Sequence, residues 1–372
     1  MCSWYQKVLK IVRIALLTKY GNQAASTRHR FYQYQNFLEQ EGFDLIKLPL
    51  FKNSYLKKLY KTNRRNVIDI TTSYFKRLRW LLSKPDVDVI WLHCDLFPYM
   101  PGFLEKLVTL PKKPIIFDFD DAIFHNYDLS QKWFVRKFLG SKLHDTIGTA
   151  KLAFCGNDYL ANYVRPICSN INIIPTVINT DDFIPNKQKK IKENLLRVGW
   201  LGTPTTFKQY VYDKIPLLKK IAEKEKCQIH IMGSDNNLMP SNPYFEDTKW
   251  CLENEIKFVQ SLDIGIMPLN NSPWSKGKCG FKLIQYMACG LPVVASPVGV
   301  NRKIVEHGVN GFLAVTDEDW YKYIRILLNN KELRYEMGVL GRKKIEKEFS
   351  IKVWGPKVSK IFANIAKNTV KN

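Results

Sequence analysis

Short runs of β-branched and aliphatic residues alternate with longer amphipathic stretches along the whole chain. In the first half, five such runs predict buried strands, at Ile11–Leu17, Val87–His93, Pro114–Asp118, Leu152–Cys155 and Ile171–Ile174. Amphipathic stretches such as Thr27–Gln40 and Thr71–Leu82 have the spacing of helices. Strands that alternate with helices indicate a parallel sheet that is covered by helices on both faces.

The second half of the chain repeats this alternation. Strands are predicted at Leu196–Leu201, Gln228–Met232, Ile264–Pro268 and Pro292–Ala295. Helices are predicted at Lys208–Lys226, Tyr244–Val259, Phe281–Ala288, Asp317–Leu328 and Glu332–Lys367. The polar segment Asn179–Asn194, with its charge run Lys187–Lys192, has the composition of an interdomain linker. The pattern therefore predicts two α/β domains, residues 1–178 and 179–350, followed by a helix in residues 351–372.

Length and composition agree with this organisation. A chain of 372 residues exceeds one ordinary core, and 45% hydrophobic with 24% charged residues excludes a mainly disordered or collagen-like chain. The 57 basic and 34 acidic residues give a formal charge of +23. This excess indicates an anionic partner, such as a nucleic acid, an anionic lipid or a phosphorylated substrate.

The cysteine pattern and the length of the apolar runs indicate the cellular compartment of the protein. The 8 cysteines are scattered without a C-x-x-C pair, so we expect reduced thiols and no zinc site. The basic N-terminus lacks the apolar run of a secretory signal, and no run approaches the roughly 20 residues of a membrane span. We therefore expect a cytoplasmic protein, soluble or peripheral on the inner face of the cell membrane.

The loop before the predicted helix Phe281–Ala288 carries the most specific chemical pattern. A helix amino end offers unpaired N–H groups and a partial positive charge, and Lys282 adds a cation that a bound diphosphate would offset. Gln285 lies on the same face, where its amide could bond a ribose or sugar hydroxyl. The alternative is an ordinary amphipathic helix with an exposed lysine. The candidate donor-binding positions of the loop are Gly277, Lys278, Cys279, Gly280 and Phe281.

This helix and the strand after it resemble the donor site of family 4 glycosyltransferases, the group 1 enzymes of bacterial envelope-polysaccharide type. The sequence KLIQYMACGLPVVAS, from Lys282 to Ser296, is similar to the family pattern K-L-x-E-Y-M-A-x-G-x-P-V-V-A-S, and the family's continuation is matched at Gly299, Glu306, His307, Gly308 and Asn310–Leu313. The resemblance implies the GT-B fold, in which two Rossmann-like, doubly wound domains face a cleft and a C-terminal helix crosses back to the first domain. It also implies a nucleoside-diphosphate-sugar donor, retention of anomeric configuration, and no metal ion or cofactor.

The sequence departs from the family at two positions. The wider family has two glutamates separated by seven residues, and Gly277 and Gln285 stand at the matching positions here. An amide at position 285 both donates and accepts, whereas a glutamate only accepts. In the family the first glutamate lies near the donor sugar, and its loss leaves the backbone amides of Lys278–Phe281 as possible substitutes.

The first predicted strand of the second domain is followed by a candidate phosphate-binding turn. Gly202 and Thr203 stand at its carboxyl end, where open parallel sheets bind ligands. The alternative is a simple turn without a ligand.

The first predicted strand of the first domain is followed by a second candidate loop. Gly21 and Asn22 belong to the loop, and Arg28 and Arg30 stand at the start of the next helix, where a bound anion would compensate their charge. The family resemblance extends to this stretch and implies a role on the acceptor side or in closure over the donor. The alternative is a solvated basic turn.

Carboxylates follow the strand at Pro114–Asp118. Asp118, Asp120 and Asp121 form a like-charge cluster that is unfavourable unless it is solvated, paired or functional. By the resemblance, Asp120 takes the position of a family histidine, and Asp120 or Asp121 could accept a proton or stabilise charge on the sugar. Capping and metal-binding roles are the alternatives. His93 ends another strand and is a further catalytic candidate, with a structural role as the alternative.

Residues 52–84 are dense in lysine and arginine, with aromatic and aliphatic residues interleaved. A basic amphipathic helix of this kind can lie on an anionic membrane surface. The same pattern can bind nucleic-acid phosphates and stack bases, or it can be a solvated helix face. Given the family resemblance, we favour the membrane surface.

Together these observations favour a retaining glycosyltransferase that moves a sugar from a nucleoside-diphosphate sugar to a hydroxyl of a glycan or lipid-linked glycan. Two alternatives are a nucleotide-sugar epimerase on the same fold and a basic nucleic-acid-binding protein. No nucleic-acid motif is present, so no nucleic-acid partner is expected.

Overall fold

The computed structural model describes residues 11–62, 64–83, 85–109, 113–186, 195–234 and 238–370. The charge run Lys187–Lys192, and with it half of the predicted linker, lies outside the described residues, as do Cys2 and Lys84. The chain forms two compact units. The first contains residues up to 119, residues 123–174 and residues from 355 onward, and the second contains residues 120–122 and 175–354.

The first unit is built on a parallel six-stranded sheet. Its strands are β1 (Val12–Tyr20), β2 (Phe43–Phe51), β3 (Val89–His93), β4 (Ile115–Phe119), β5 (Leu152–Cys155) and β6 (Ile171–Ile173). The order across the sheet is β2-β1-β3-β4-β5-β6, so the direction of winding reverses between β1 and β3. Its helices are α1 (Gln35–Gln40), α2 (Asn53–Thr62), α3 (Val67–Leu82), α4 (Gly102–Thr109), α5 (Trp133–Leu139), α6 (Lys142–Gly148) and α7 (Asp158–Val164).

The second unit contains a parallel sheet of the same size. Its strands are β7 (Arg197–Leu201), β8 (Gln228–Met232), β9 (Phe245–Thr248), β10 (Ile264–Met267), β11 (Val293–Ala295) and β12 (Gly311–Leu313). The order is β12-β11-β10-β7-β8-β9, the arrangement of a doubly wound dinucleotide-binding sheet, with its switch point between β7 and β10. Its helices are α8 (Pro204–Tyr210), α9 (Ile215–Glu225), α10 (Glu255–Ser261), α11 (Pro273–Lys276), α12 (Phe281–Ala288), α13 (Asn301–Ile304), α14 (Asp317–Asn329), α15 (Lys331–Glu348) and the start of α16 (Ile351–Val370).

Most of these elements could be predicted from short-range features of the sequence, such as the glycines that flank a helix. α12 begins and ends at the predicted residues, because Gly280 and Gly290 adopt positive φ angles of 68° and 73° on either side of it. The Leu291 N–H then donates to the Tyr286 carbonyl at 3.0 Å, which closes the helix. The expected α/β class with parallel sheets is therefore confirmed.

Four of the predicted helices are not single helices. Lys208–Lys226 spans the end of α8, a 3-10 turn at Tyr212–Lys214 and α9, and Glu332–Lys367 is divided between α15 and α16. Tyr244–Val259 is not one helix, because Phe245–Thr248 pairs in parallel with β8 as an edge strand and only Glu255–Ser261 is helical. Thr27–Gln40 is not a uniform helix either, since Thr27–Phe31 forms a π-helical turn and Tyr32–Tyr34 a 3-10 turn before α1. The strands β2, β9 and β12 were not predicted.

The described residues bear on two expectations, that the chain has no membrane-spanning helix and that its cysteines are reduced. In that part of the chain, no helix combines the length and the apolar character needed to cross a bilayer. The described cysteines are Cys94, Cys155, Cys168, Cys227, Cys251, Cys279 and Cys289, and each is a free thiol.

Candidate functional site

The candidate site of the second unit lies at the switch point of its sheet. β7 and β10 are neighbours there, and open α/β sheets bind ligands outside the carboxyl ends of the strands that flank such a point. β7 leads into Gly202 and Thr203, and the chain after β10 runs through α11 and Gly277 into α12. The sequence-predicted donor residues are therefore brought to one region of one unit.

α12 is fixed to this sheet by a buried tyrosine. The Tyr286 ring packs over β10 at Gly265, where an added Cβ would come within 2.4 Å of the ring. Its hydroxyl accepts a hydrogen bond from the Leu201 N–H at the end of β7, at 3.2 Å. The first turn of α12 is thereby held against the two strands at the switch point.

Lys282 lies in that first turn and is half-buried. Its Nζ is 5.5 Å from the centre of the Trp200 ring. Burial, together with the neighbouring ammonium group of Lys278, lowers the pKa of Lys282 to about 8, although the carboxylates of Asp121 and Glu255 oppose the shift. An anion bound beside this amine would raise its pKa again, because it stabilises the charged form.

Lys278 is a second cation, and it is paired. Its Nζ lies 3.5 Å from Asp121 Oδ1 and 5.6 Å from the centre of the Tyr210 ring. Burial favours the neutral amine, but the Asp121 carboxylate outweighs it and raises the pKa of Lys278. The Lys278 main-chain N–H donates to the Ser275 carbonyl at 3.2 Å, so it is not the phosphate donor that the sequence suggested.

Gln285 is 1% exposed, and its amide is held by a residue that the sequence did not single out. The Nε2 atom donates to Glu255 Oε1 at 2.6 Å, and Glu255 itself is 3% exposed at the start of α10. The Trp250 Nε1 donates to the other Glu255 oxygen at 3.3 Å. One N–H of the Gln285 amide is therefore taken by Glu255, which leaves the second N–H and the oxygen for a ligand. The sequence does not single out Glu255, because nothing in it links this residue to Gln285, which is 30 residues away.

The turn after β7 is shaped by close packing and by a helix cap. A Cβ on Gly202 would lie 2.3 Å from the Trp200 ring, so only glycine fits there. Thr203 caps α8, with its N–H donating to the Thr206 hydroxyl at 3.0 Å and its own hydroxyl accepting from the Thr206 N–H at 3.4 Å. Part of its hydrogen-bonding capacity is therefore already used.

In the first unit, the residues of the predicted loop after β1 contact one another and Asn53. The Arg28 Nη1 donates to the Asn22 carbonyl at 2.9 Å, and the Asn22 Oδ1 accepts from Asn53 Nδ2 at 2.6 Å. Gly21 has no room for a side chain, since a Cβ would lie 2.5 Å from the Asn53 Oδ1. These contacts order the loop itself, and a ligand-binding role for Gly21, Asn22 or Arg28 stays a prediction.

The same prediction was wrong for Arg30. Arg30 is buried, and its Nε donates to Asp118 Oδ1 at 2.8 Å. The second Asp118 oxygen accepts from the Trp91 Nε1 at 2.9 Å. A guanidinium placed in this way neutralises a carboxylate within the core of the first unit, and it is not presented to an anion.

Asp118 is therefore not part of the carboxylate cluster that the sequence indicated. Asp120 and Asp121 pack with the second unit, where the Asp120 carbonyl accepts from Cys279 Sγ at 3.0 Å and Asp121 pairs with Lys278. His93 is buried in the first unit, with its ring centre 4.7 Å from that of Phe31. Catalytic roles for Asp120, Asp121 and His93 stay predictions.

Comparison with known proteins identifies the class of enzyme. Residues 192–330 match the model of the family described as glycosyl transferases group 1. An uncharacterised glycosyltransferase of Methanocaldococcus jannaschii is 26% identical over 374 residues, which cover 88% of this chain and 91% of the relative. The chain is a glycosyltransferase. The matched residues include every element of the site in the second unit except Asp120–Ala122.

Solved structures show the fold of this glycosyltransferase. Sucrose-phosphate synthase of Thermosynechococcus elongatus has a TM-score of 0.70 at 13% identity, covering 95% of this chain and 99% of its own. A glycosyltransferase of Rickettsia africae has a TM-score of 0.68 at 15% identity, covering 96% and 100%. Anabaena HepE, in complex with UDP and glucose, has a TM-score of 0.67 at 13% identity, covering 95% and 99%. The fold is GT-B.

The structure explains why the glycosyltransferase has glycine at the first departure from the family pattern. A Cβ on Gly277 would lie 2.5 Å from the Ala122 Cβ and 2.9 Å from the Ala122 backbone nitrogen. Real Cβ atoms essentially never approach other atoms so closely, so one of the two segments would have to shift. The strand-end segment Asp120–Ala122 thus occupies the space that a glutamate side chain would need.

Gly277→Glu is expected to lower the free energy of unfolding by about 1–3 kcal/mol, because the backbone of Ala122 has no flexible end that can move aside. Urea unfolding monitored by circular dichroism measures this change. Gly148→Ala is the matched control, since the nearest atom to its added Cβ is 3.8 Å away and its φ is not positive. A Gly277→Glu variant as stable as the wild type would contradict the close approach of Ala122.

Proposed function

We propose that this glycosyltransferase binds a nucleoside-diphosphate sugar on the second unit and transfers the sugar, with retention of configuration, to a hydroxyl of a glycan or lipid-linked glycan. The observation that carries the proposal is Lys282, whose amine is held at a pKa of about 8 in the first turn of α12, at the switch point of a doubly wound sheet. A diphosphate is the ligand that such a position favours. HepE, which shares the fold, is known in complex with UDP-glucose.

Each group near α12 has a role in this proposal. Lys282 and the amino end of α12 neutralise the departing diphosphate, and Gln285 accepts from a ribose hydroxyl while Glu255 fixes its amide. Lys278 adds positive charge that Asp121 keeps in place. These two ammonium groups supply the charge that a divalent cation supplies elsewhere, so we propose that no metal ion is needed. Asp120 is proposed to assist at the sugar.

A donor screen with product analysis tests the reaction. The full chain is incubated with UDP-, GDP- and ADP-sugars, with and without glycan or lipid-linked acceptors, in the presence of EDTA. We expect nucleoside diphosphate to be released only when an acceptor is present, and proton NMR to show the donor's anomeric configuration in the product. Conversion of the donor without an acceptor would indicate an epimerase. An inverted product would contradict retention, and inactivity that Mg²⁺ or Mn²⁺ reverses would contradict the absence of a metal.

A lipid-linked acceptor, as in envelope-polysaccharide assembly, would bring this enzyme to the inner face of the cell membrane, and we propose that residues 52–84 contact it. Ile68, Phe75 and Leu82 are exposed on one face of α3, spaced by two turns each, with Lys76 and Arg79 exposed beside them. Arg77 does not belong to this surface. It is buried, its Nη2 donates to the Leu48 carbonyl at 2.6 Å, and burial lowers its pKa to about 9.

A further inference from the structure

The segment Leu129–Phe138 of the first unit exposes an unusual amount of apolar surface. Trp133 is 63% exposed and Phe138 is 69% exposed, and Leu129 and Phe134 are exposed as well. Large aromatic side chains grouped in this way on a protein surface mark an interaction site, whereas single exposed apolar residues are ordinary. None of these residues was assigned a role by the sequence.

These side chains are held outward by an ordered helix. Val135 and Leu139 form the inner face of α5 and pack in a buried cluster with Tyr127. The Tyr127 hydroxyl in turn donates to the buried Asp95 Oδ2 at 2.6 Å. Because the inner face is anchored, the exposed rings are a fixed feature of the fold.

The exposed rings are surrounded by cations. Lys137 Nζ lies 5.9 Å from the centre of the Trp133 ring and 5.7 Å from that of Phe138, and Lys132 Nζ lies 5.9 Å from that of Phe134. Arg136 is exposed on the same helix. The sequence from Leu129 to His144 contains no acidic residue. A surface of this composition favours a partner that is both apolar and negatively charged.

We propose that Leu129–Phe138 is a docking surface for an anionic lipid bilayer, with the rings at the level of the headgroups and the cations against lipid phosphates. Aromatic residues beside lysine and arginine are the composition of interfacial helices. The proposal rests on the proposed function in one respect, since a lipid-linked acceptor would lie in the membrane, where the enzyme must bind it. It adds a contact region that lies outside residues 52–84.

The two regions are linked through one tyrosine. Tyr99 is exposed, and its ring centre lies 5.4 Å from that of Tyr127, on which α5 packs. Arg65, just before α3, lies with its guanidinium carbon 5.7 Å from the centre of the Tyr99 ring. Basic and aromatic groups therefore continue from α5 toward the start of α3.

Vesicle flotation of the full chain tests the proposal. The vesicles contain phosphatidylcholine alone or with phosphatidylglycerol. The variant Lys132→Gln/Lys137→Gln is compared with Lys219→Gln/Lys220→Gln, which removes two exposed charges from α9. We expect the α5 variant to bind anionic vesicles about 30-fold more weakly than the wild type and the α9 variant to change little. Trp133→Ser/Phe138→Ser is expected to weaken binding by about tenfold or more.

Other outcomes would overturn the proposal. Equal binding of the wild type to both kinds of vesicle would remove the anionic requirement. A loss confined to Phe75→Ser/Lys76→Gln on α3, with the α5 variants unchanged, would place the contact on residues 52–84 alone. UDP affinity, measured on the same samples, tests the proposed donor site separately from the proposed docking surface. A chain that binds UDP but no vesicles would contradict the docking surface and leave the donor site unaffected. Circular dichroism and thermal unfolding show whether each variant folds.

Discussion

Lys282→Ala is expected to weaken the binding of UDP by about 10- to 100-fold, because a hydrogen bond between an ammonium group and a phosphate contributes about 1.5–3 kcal/mol. The effect is large here because Lys282 is half-buried beside Trp200 and is the cation of the site with a lowered pKa. Water screens a charge in such a position less than it screens an exposed lysine. Isothermal titration calorimetry with UDP at pH 7 measures the change.

The control for this variant is Lys276→Ala, which removes an exposed lysine of α11 from the loop that leads to α12. Its UDP affinity is expected to stay within about twofold of the wild type, since an exposed charge near a site contributes little. Equal losses in the two variants would mean that net charge attracts the nucleotide and that Lys282 has no specific contact. An unchanged affinity in Lys282→Ala would contradict the proposed position of the diphosphate.

The pKa of Lys282 gives this contact a pH dependence. Below pH 8 the amine is charged in the free enzyme and attracts the diphosphate, whereas above pH 8 it is increasingly neutral and must take up a proton when UDP binds. The dissociation constant is therefore expected to rise by up to about tenfold per pH unit above 8. Lys282→Arg keeps its charge over this range, so its dissociation constant is expected to change much less between pH 7 and 9.5.

Local signals explain which parts of the fold could be predicted. α12 was located to the residue because glycine at positive φ stands on both sides of it and Pro292 follows. The sequence predicts a helix over the edge strand Phe245–Thr248, because a parallel strand is defined by its partner and not by its own short sequence. Its partner β8, at Gln228–Met232, is the strand that precedes it in the chain.

Long-range pairing explains the errors at the candidate sites. The sequence predicts Arg30 as a ligand of an anion, since nothing in it shows that Asp118, 88 residues away, neutralises the guanidinium. Glu255 was overlooked for the same reason, because its contact with Gln285 joins two helices that are 30 residues apart. Chemistry that is carried by one loop is visible in a sequence, whereas a buried pair is recognised only once the fold is known.

The Glu255–Gln285 contact predicts that restoring the family residue at position 285 is harmful. Gln285→Glu would place two buried carboxylates where donor and acceptor are now 2.6 Å apart, so one would have to take up a proton or both would have to move. We expect the free energy of unfolding at pH 7 to fall by about 3 kcal/mol or more. Urea unfolding measures the loss, with the exposed substitution Gln209→Glu as the matched control.

The exchanged pair, Glu255→Gln/Gln285→Glu, distinguishes repulsion from a general sensitivity of the site. The double variant again places one amide opposite one carboxylate. Its free energy of unfolding is therefore expected to return to within about 1 kcal/mol of the wild type. Two independent substitutions would instead add their losses, so this recovery would show that the two residues are coupled. The exchange also places a charged acceptor on α12, where the family has one, and UDP affinity is expected to be retained. If Gln285→Glu alone were as stable as the wild type, or if the exchanged pair lost as much as the two single changes together, Glu255 would not be what holds Gln285 in place.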